Sequence, residues 1–415
     1  MVSDGELCRA VDAISRMQDW TNDGKWPLER MIKLLGAGGI SRSGPFIQVA
    51  GTNGKGSTCA FLECGLRAVG LTTGLYTSPD LIRCNERIRV GGKAIGNEAF
   101  MGLLRRWKKI GESMEYSMRP TWFELLTAIA LDFFRQKAVD VAILEVGLGG
   151  RCDATSAVFA ELCAITTIGL DHCALLGNDV ASIAREKAAI ARHGVALIVG
   201  NVPGDAMAAI GEVAGSVGAP VFRAENIAVP QLENMRGVEQ LENYRMAAAI
   251  GRMWLGRRTI DCAAICEKFL GAMAQARWPG RWDCREIFGR RWIFDCTHNV
   301  HGLEMFRKNW NGLAADERVA PTVVICTLGE DRARDLIPFF ASIAKHLVLV
   351  ELSDGRALSV ERLGNFVPPS NSCLISSLRE SQLADALPRL GGDPILVVGS
   401  IALVGKALGS IRQEL

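Results

Sequence analysis

Residues 49–58 read Val49-Ala50-Gly51-Thr52-Asn53-Gly54-Lys55-Gly56-Ser57-Thr58, behind the apolar run Phe46-Ile47-Gln48-Val49 and ahead of an amphipathic stretch that ends at Gly70. The order is strand, glycine-rich turn, helix. Such a turn offers backbone N–H groups and a helix N-terminus to polyphosphate, with Lys55 as a point charge and Ser57 or Thr58 as a hydroxyl for Mg2+. ATP, or a molecule built like it, is the ligand expected at Gly51, Thr52, Asn53, Gly54, Lys55, Gly56, Ser57 and Thr58. The strict pattern G-x-x-x-x-G-K-[ST] is not met, because Val49 stands at its first glycine and Gly56 follows the lysine. The physical ingredients survive, since Gly51, Gly54 and Gly56 permit positive φ and close backbone approach. An ordinary glycine-rich βα turn with an exposed lysine is the simpler alternative.

Outward from this turn, short apolar runs alternate with helical stretches: Phe46–Val49, Leu71–Tyr76, Val139–Val146, Leu162–Ile168 and Val195–Val199. This rhythm implies βα units and a buried, mostly parallel sheet. From Gln240 to Ala276 the pattern is wholly helical, and Trp278-Pro279-Gly280-Arg281 breaks it. Strand-like runs resume at Trp292–Asp295, Thr322–Cys326, His346–Glu351, Cys373–Ser376 and Ile395–Val398. The expectation is two α/β domains, residues 1–283 and a smaller 284–415, facing one another across a cleft at the strands' carboxyl ends. A chain of 415 residues fits two domains.

Composition narrows the class. The chain is 49% hydrophobic and 22% charged, with 47 basic against 45 acidic residues and a formal net charge of +2. No global field points to nucleic acid or to an anionic membrane. No run of about 18 apolar residues suggests a membrane span, and Val2-Ser3-Asp4-Gly5-Glu6 lacks the basic start of an export signal. The 13 cysteines sit among apolar neighbours, as at Cys59, Cys163 and Cys326, which suits reduced thiols in a cytoplasmic protein. Nothing in the charge or composition requires a partner chain, and a monomer is expected.

Several polar residues fall where strands end. Glu145 closes Val141-Ala142-Ile143-Leu144 and could hold Mg2+ directly or through water; a solvated cap is the alternative. His172, one of five histidines, follows the run Leu162–Ile168 and could donate to phosphate or approach the metal, or be a hydrogen-bonded structural histidine. Ser78 adds a hydroxyl at the same edge, although Thr77-Ser78-Pro79 also reads as a turn. Asp295-Cys296-Thr297-His298-Asn299 ends a strand and opens a helix, with an N-cap as the plain reading. Lys187 lies on a helix downstream of His172, where a solvated lysine is the default.

Jointly these segments resemble the folate branch of the Mur ligase superfamily, folylpolyglutamate synthase and its bifunctional form with dihydrofolate synthase activity. The similarity runs in order from Gly51-Thr52-Asn53-Gly54-Lys55-Gly56-Ser57 through Thr77-Ser78-Pro79, Thr121-Trp122-Phe123-Glu124, Glu145-Val146-Gly147-Leu148-Gly149-Gly150-Arg151, Leu170-Asp171-His172, Glu186-Lys187-Ala188, Gln240-x-x-Asn243, Trp278-Pro279-Gly280-Arg281 and Asp295-x-x-His298-Asn299 to Gly399-Ser400. It implies a P-loop-containing, Mur-ligase-like domain with a smaller Rossmann-like α/β domain. It also implies an ATP-dependent ligase joining L-glutamate to a folate or dihydropteroate carboxylate through an acyl phosphate. By that resemblance Ser57, Ser78, Glu145 and His172 surround Mg2+, while Asn243, Arg281, Asp295 and His298 contact the nucleotide. Thr121, Phe123 and Asp153 match positions that hold the pterin. Lys55, His172 and Lys187 take catalytic places, and Lys187 matches a lysine that is carbamylated in relatives.

The chain departs from the family pattern at several positions, of which Asp80 and Ser156 lie near the predicted acceptor and metal region. Asp80 follows Ser78-Pro79 where histidine is usual, Ser156 stands where asparagine is usual, and Glu239 replaces a histidine before Gln240. An added carboxylate at Asp80 would repel an anionic acceptor unless paired or turned away. Three other readings remain at this level. One is a paralogue acting on a different carboxylate. Another is a peptidoglycan-type Mur ligase, disfavoured by Gly56 and by the short stretch before the turn. The third is a nucleotide-switched binding module without ligase activity.

Overall fold

A computed structural model describes residues 2–17, 27–258, 262–314 and 319–411. It divides into two compact units, one of residues 1–231 with 241–276, the other of 232–240 with 277–415. The division thus precedes the expected boundary at 283. Trp282 explains the shift, because it is buried in the core of the C-terminal unit against Phe306.

In the N-terminal unit the strands are β1 (Phe46–Ala50), β2 (Thr73–Tyr76), β3 (Ile88–Val90), β4 (Lys93–Ala94), β5 (Val141–Glu145), β6 (Leu162–Ile165), β7 (Leu197–Val199) and β8 (Val221–Arg223). They form one sheet in the order β4-β3-β2-β5-β1-β6-β7-β8. All pairings are parallel except β2 with β3 and β3 with β4. Strands β1, β2, β5, β6 and β7 are buried along their whole length, as continuous Val, Ile and Leu runs require when helices cover both faces. The chain leaves β1 for β2 on one side and returns through β5 to β6 on the other. The carboxyl end of β1 is therefore a topological switch point, where open α/β sheets place their ligands.

The C-terminal unit holds β9 (Asp283–Ile287), β10 (Arg290–Phe294), β11 (Thr322–Ile325), β12 (His346–Glu351), β13 (Leu374–Arg379) and β14 (Ile395–Val398), ordered β13-β12-β11-β14-β10-β9. Only β9 runs antiparallel. Four strands went unread in the sequence. The β3–β4 hairpin turns through Gly91 and Gly92, both at positive φ, which is a recognisable two-glycine signal. The others, β8 and β9, are short or half exposed, so no apolar run marks them. The region expected to be wholly helical contains two helices, Val238–Gly256 and Cys262–Met273.

Candidate active site

Strand β1 ends at Ala50, and residues 51–54 turn into the helix Lys55–Ala68. Gly51 has φ +149° and Gly54 φ +83°, conformations that side chains rarely tolerate. A Cβ on Gly51 would lie 1.9 Å from Thr166 Oγ1, and one on Gly54 would lie 2.2 Å from Asn243 Oδ1. Two walls thus pin the turn, and Asn243 is brought against it. The segment after β6 supplies most of the ties. Thr52 N donates to Thr167 O at 2.8 Å, Asn53 N to Thr167 Oγ1 at 3.1 Å, and Thr166 Oγ1 to Asn53 O at 2.6 Å. Thr52 Oγ1 donates to Gly169 O and accepts from Gly169 N, both at 3.1 Å. Sequence reasoning missed Thr166 and Thr167, although two hydroxyls at a strand's carboxyl end follow the rule that found Glu145.

No side-chain cap closes the N-terminus of the helix Lys55–Ala68, whose first-turn N–H groups carry the positive end of the helix dipole. Lys55 folds back, donating from Nζ to Gly51 O at 3.0 Å and Thr52 O at 3.2 Å. Lys187, expected as a solvated lysine by default, is instead 5% exposed and donates from Nζ to the same Gly51 O at 3.0 Å. Burial and the neighbouring Lys55 charge lower its pKa to about 7, against partial support from Asp171 and Asp153. Ser57 and Thr58 are buried, and Thr58 Oγ1 is an orphan without a hydrogen-bond partner.

Register fixes Glu145 beside this turn. It pairs with Val49 of β1, and Val146 N donates to Val49 O at 2.9 Å. Its side chain is 5% exposed, with Oε2 accepting from the backbone N of Ser78 at 3.1 Å, which brings the two residues together. His172 sits at φ +50°, its side chain about half exposed, just after the Thr166–Gly169 ties. Among the described residues, no three His, Cys, Asp or Glu side chains form a metal cage. A Mg2+ ion bound through one or two carboxylates, hydroxyls and phosphate oxygens needs none. With Glu145, the Ser57 hydroxyl, the orphan Thr58 hydroxyl and the uncapped helix N-terminus together, the residues fit a metal–triphosphate group.

The expected acceptor residues are differently engaged. Thr121 caps the helix Trp122–Gln136 in a capping box, its Oγ1 donating to Glu124 Oε2 at 2.9 Å and its N to the same oxygen at 2.7 Å. Glu124 is in turn held by Arg30 Nε, at 2.9 and 2.8 Å to its two oxygens. The Phe123 ring lies 5.9 Å from that of Tyr76 and would be struck by a Cβ on Gly147. Asp153 is 6% exposed; Oδ2 accepts from Gly147 N and Leu148 N, and Oδ1 from Thr155 N and Oγ1. Burial raises its pKa, opposed by these bonds. Ser156 Oγ donates to Gly150 O at 2.6 Å and accepts from the buried Gln48 Nε2 at 2.9 Å. Asp80 is paired with Arg87 at 2.5 Å, which answers the repulsion expected of an added carboxylate.

Arg281, Asp295 and His298 all belong to the C-terminal unit. Asp295, 7% exposed at the end of β10, accepts from Trp282 N at 2.8 Å and Thr297 N at 2.9 Å. Burial raises its pKa, while the Thr297 hydrogen bond and the Arg281 charge oppose the rise. His298 Nδ1 lies 2.8 Å from Cys296 O. Glu239 accepts from Asn309 Nδ2 at 2.8 Å, and burial and Asp295 push its carboxyl up.

No protein-family profile matches the chain. The dihydrofolate synthase/folylpolyglutamate synthase of Escherichia coli is 32% identical over 397 residues, which is 92% of this chain and 90% of that enzyme. The chain belongs to the dihydrofolate synthase/folylpolyglutamate synthase family. The solved structure of Escherichia coli FolC with DHPP and ADP superposes with a TM-score of 0.82 at 28% identity, covering 98% of each chain. A bifunctional folylpolyglutamate synthase/dihydrofolate synthase with Mn, AMPPNP and L-glutamate bound gives a TM-score of 0.80 at 25% identity, over 98% of each chain. Some curated relatives are longer: the chain spans 48% of a probable bifunctional folylpolyglutamate synthase/dihydropteroate synthase from Halobacterium salinarum, at 31% identity. The two-unit α/β fold is accordingly that of the folylpolyglutamate synthase family, with its P-loop on the larger unit. Among the described residues, no helix is long and apolar enough to cross a membrane.

Proposed function

We propose that this chain is an ATP-dependent ligase that joins the amino group of L-glutamate to the carboxylate of dihydropteroate, a folate, or both. It would act in the cytoplasm, as a monomer, in folate and one-carbon metabolism. Family membership supports the reaction class, and the convergence of Lys55, Lys187, Asn243 and the Ser78–Glu145 pair on the Gly51–Gly54 turn carries it. A carboxylate is a poor electrophile, so amide formation requires a better leaving group on its carbon. Transfer of the γ-phosphoryl of ATP to a carboxylate oxygen gives an acyl phosphate; the glutamate amine attacks that carbon, and inorganic phosphate leaves.

The chain supplies position and charge rather than a covalent nucleophile. Gly51 to Thr58 hold the phosphates through backbone N–H groups, and Lys55 leaves its carbonyl partners to meet the transferred charge. Ser57, Ser78, Glu145 and His172 would hold a Mg2+ ion, which would supply neutralisation of the phosphate charge. His172 and Lys187 complete the catalytic set. By the family resemblance, Asn243, Arg281, Asp295 and His298 are the nucleotide contacts proposed. Phe123 offers a ring for the pterin, with Thr121 and Asp153 shaping that wall.

The test is to give purified protein ATP, Mg2+ and glutamate with dihydropteroate or tetrahydrofolate in parallel and to identify products by mass. ADP release that depends on both glutamate and acceptor, with a product one glutamate heavier, is expected. ATP hydrolysis indifferent to glutamate would replace the ligase with a nucleotide-switched module.

A further inference from the structure

The Asp80–Arg87 pair lies among the groups just assigned. Asp80 Oδ1 accepts from Arg87 Nε at 2.5 Å; the aspartate side chain is 27% exposed and the arginine 16%, so the carboxylate is the outer member. Asp80 sits two residues beyond Ser78, whose N–H donates to Glu145 at the phosphate edge. Arg87 is tied to the other flank: its carbonyl accepts from Thr77 N at 2.9 Å, and its neighbour Ile88 pairs with Tyr76, the residue whose ring meets Phe123. The backbone of Arg87 is thereby held between the Ser78 segment and the strand that carries Tyr76, while its partly covered guanidinium meets Asp80. An acceptor with a fused ring at one end and a reacting carboxylate at the other has to span those two places. A guanidinium fork matches a carboxylate in geometry and charge.

We propose that Arg87 is the docking group for the acceptor's carboxylate and that Asp80 occupies it until the acceptor arrives. The exchange conserves charge at the arginine: one carboxylate leaves for solvent as another takes its bonds. Asp80 then acts as a specificity residue, because a ring compound without a carboxylate gains nothing by displacing it. This inference rests on the ligase reading.

The experiment measures equilibrium binding of dihydropteroate and of a pterin lacking the carboxylate, in the presence of a non-hydrolysable ATP analogue, with turnover followed in parallel. Asp80→Asn, which frees the arginine, should tighten dihydropteroate about tenfold and lower its KM with kcat and the ATP KM little changed. Arg87→Gln should weaken it about tenfold, and Arg87→Lys should recover part of the loss. None of these three substitutions should alter binding of the carboxylate-free pterin, a selectivity that simple loss of structure would not produce. Weakened or unchanged dihydropteroate binding in Asp80→Asn overturns the proposal. So does an equal response with the carboxylate-free pterin. Wild-type protein that ligates neither acceptor faults the ligase reading itself, and the proposal falls with it; active wild type with an unresponsive Asp80→Asn faults the proposal alone.

Discussion

In the turn after β1, side chains from elsewhere hold the backbone, and the functional groups of the turn itself keep replaceable partners: Lys55 Nζ rests on two carbonyl oxygens and the helix start has no side-chain cap. At Thr121 and Asp153 the order is reversed. There the motif side chains spend their own hydrogen bonds on the local backbone and on Glu124. The first region is prepared to exchange protein contacts for ligand contacts, whereas the second is prepared to keep its shape. The difference suits their partners. A triphosphate is bound through charge and N–H donors, but a flat ring is bound through walls.

The sharpest way to break this contrast is Lys55→Ala. Because the ammonium touches only carbonyls, its loss should leave the melting temperature within a few degrees while lowering kcat/KM by about a thousandfold or more. Undiminished ligation in that variant would remove the triphosphate assignment. Glu124→Ala tests the other region through stability. It strands Arg30, which is 8% exposed and already carries an unpartnered Nη2, so about 3–5 kcal/mol of stability should be lost in urea unfolding. A loss below about 1 kcal/mol would show that the Arg30–Glu124–Thr121 chain is not what holds this wall. Asp153→Asn is milder: an amide cannot accept all four bonds, and a cost of about 1–3 kcal/mol is expected, with acceptor binding per folded molecule nearly kept. Acceptor binding abolished in a variant of wild-type stability would make Asp153 a ligand contact and erase the distinction.

The sequence made the first region more legible than the second for the same reason. A phosphate turn is local: three glycines, a lysine and flanking apolar runs state it within ten residues, and strand-end position then points to Glu145 and His172. The ties that immobilise it are not local. Thr166 and Thr167 reach the turn only because β6 pairs with β1, and Asn243 arrives on a helix far along the chain. The same holds for Arg30 and Glu124, paired across 94 residues. The sequence singles out Asp80 but not Arg87, since nothing in Asp80-Leu81-Ile82-Arg83-Cys84-Asn85-Glu86-Arg87 says which of two arginines the aspartate meets. Folding chose Arg87 and left Arg83 to Asp4.

The smallest expected effect concerns Lys187, where the two plans meet: a buried side chain that holds backbone, as in the second region, but at the turn. It shares Gly51 O with Lys55, and burial with that second positive charge lowers its pKa to about 7, from an ordinary value of 10.5. Between those values the unfolded chain carries a proton that the folded chain has released. Stability should therefore rise with pH across the window, and the contribution is absent below about 7, where both states are protonated. Other groups titrate in the same range, so the quantity to measure is the difference between wild type and Lys187→Met in urea unfolding, in buffers stripped of carbon dioxide so that the free amine is observed. The wild type should gain on the variant as pH increases. Parallel curves would mean that the ammonium keeps its proton beside Lys55, and the turn would then hold two full positive charges on one carbonyl oxygen before any phosphate binds.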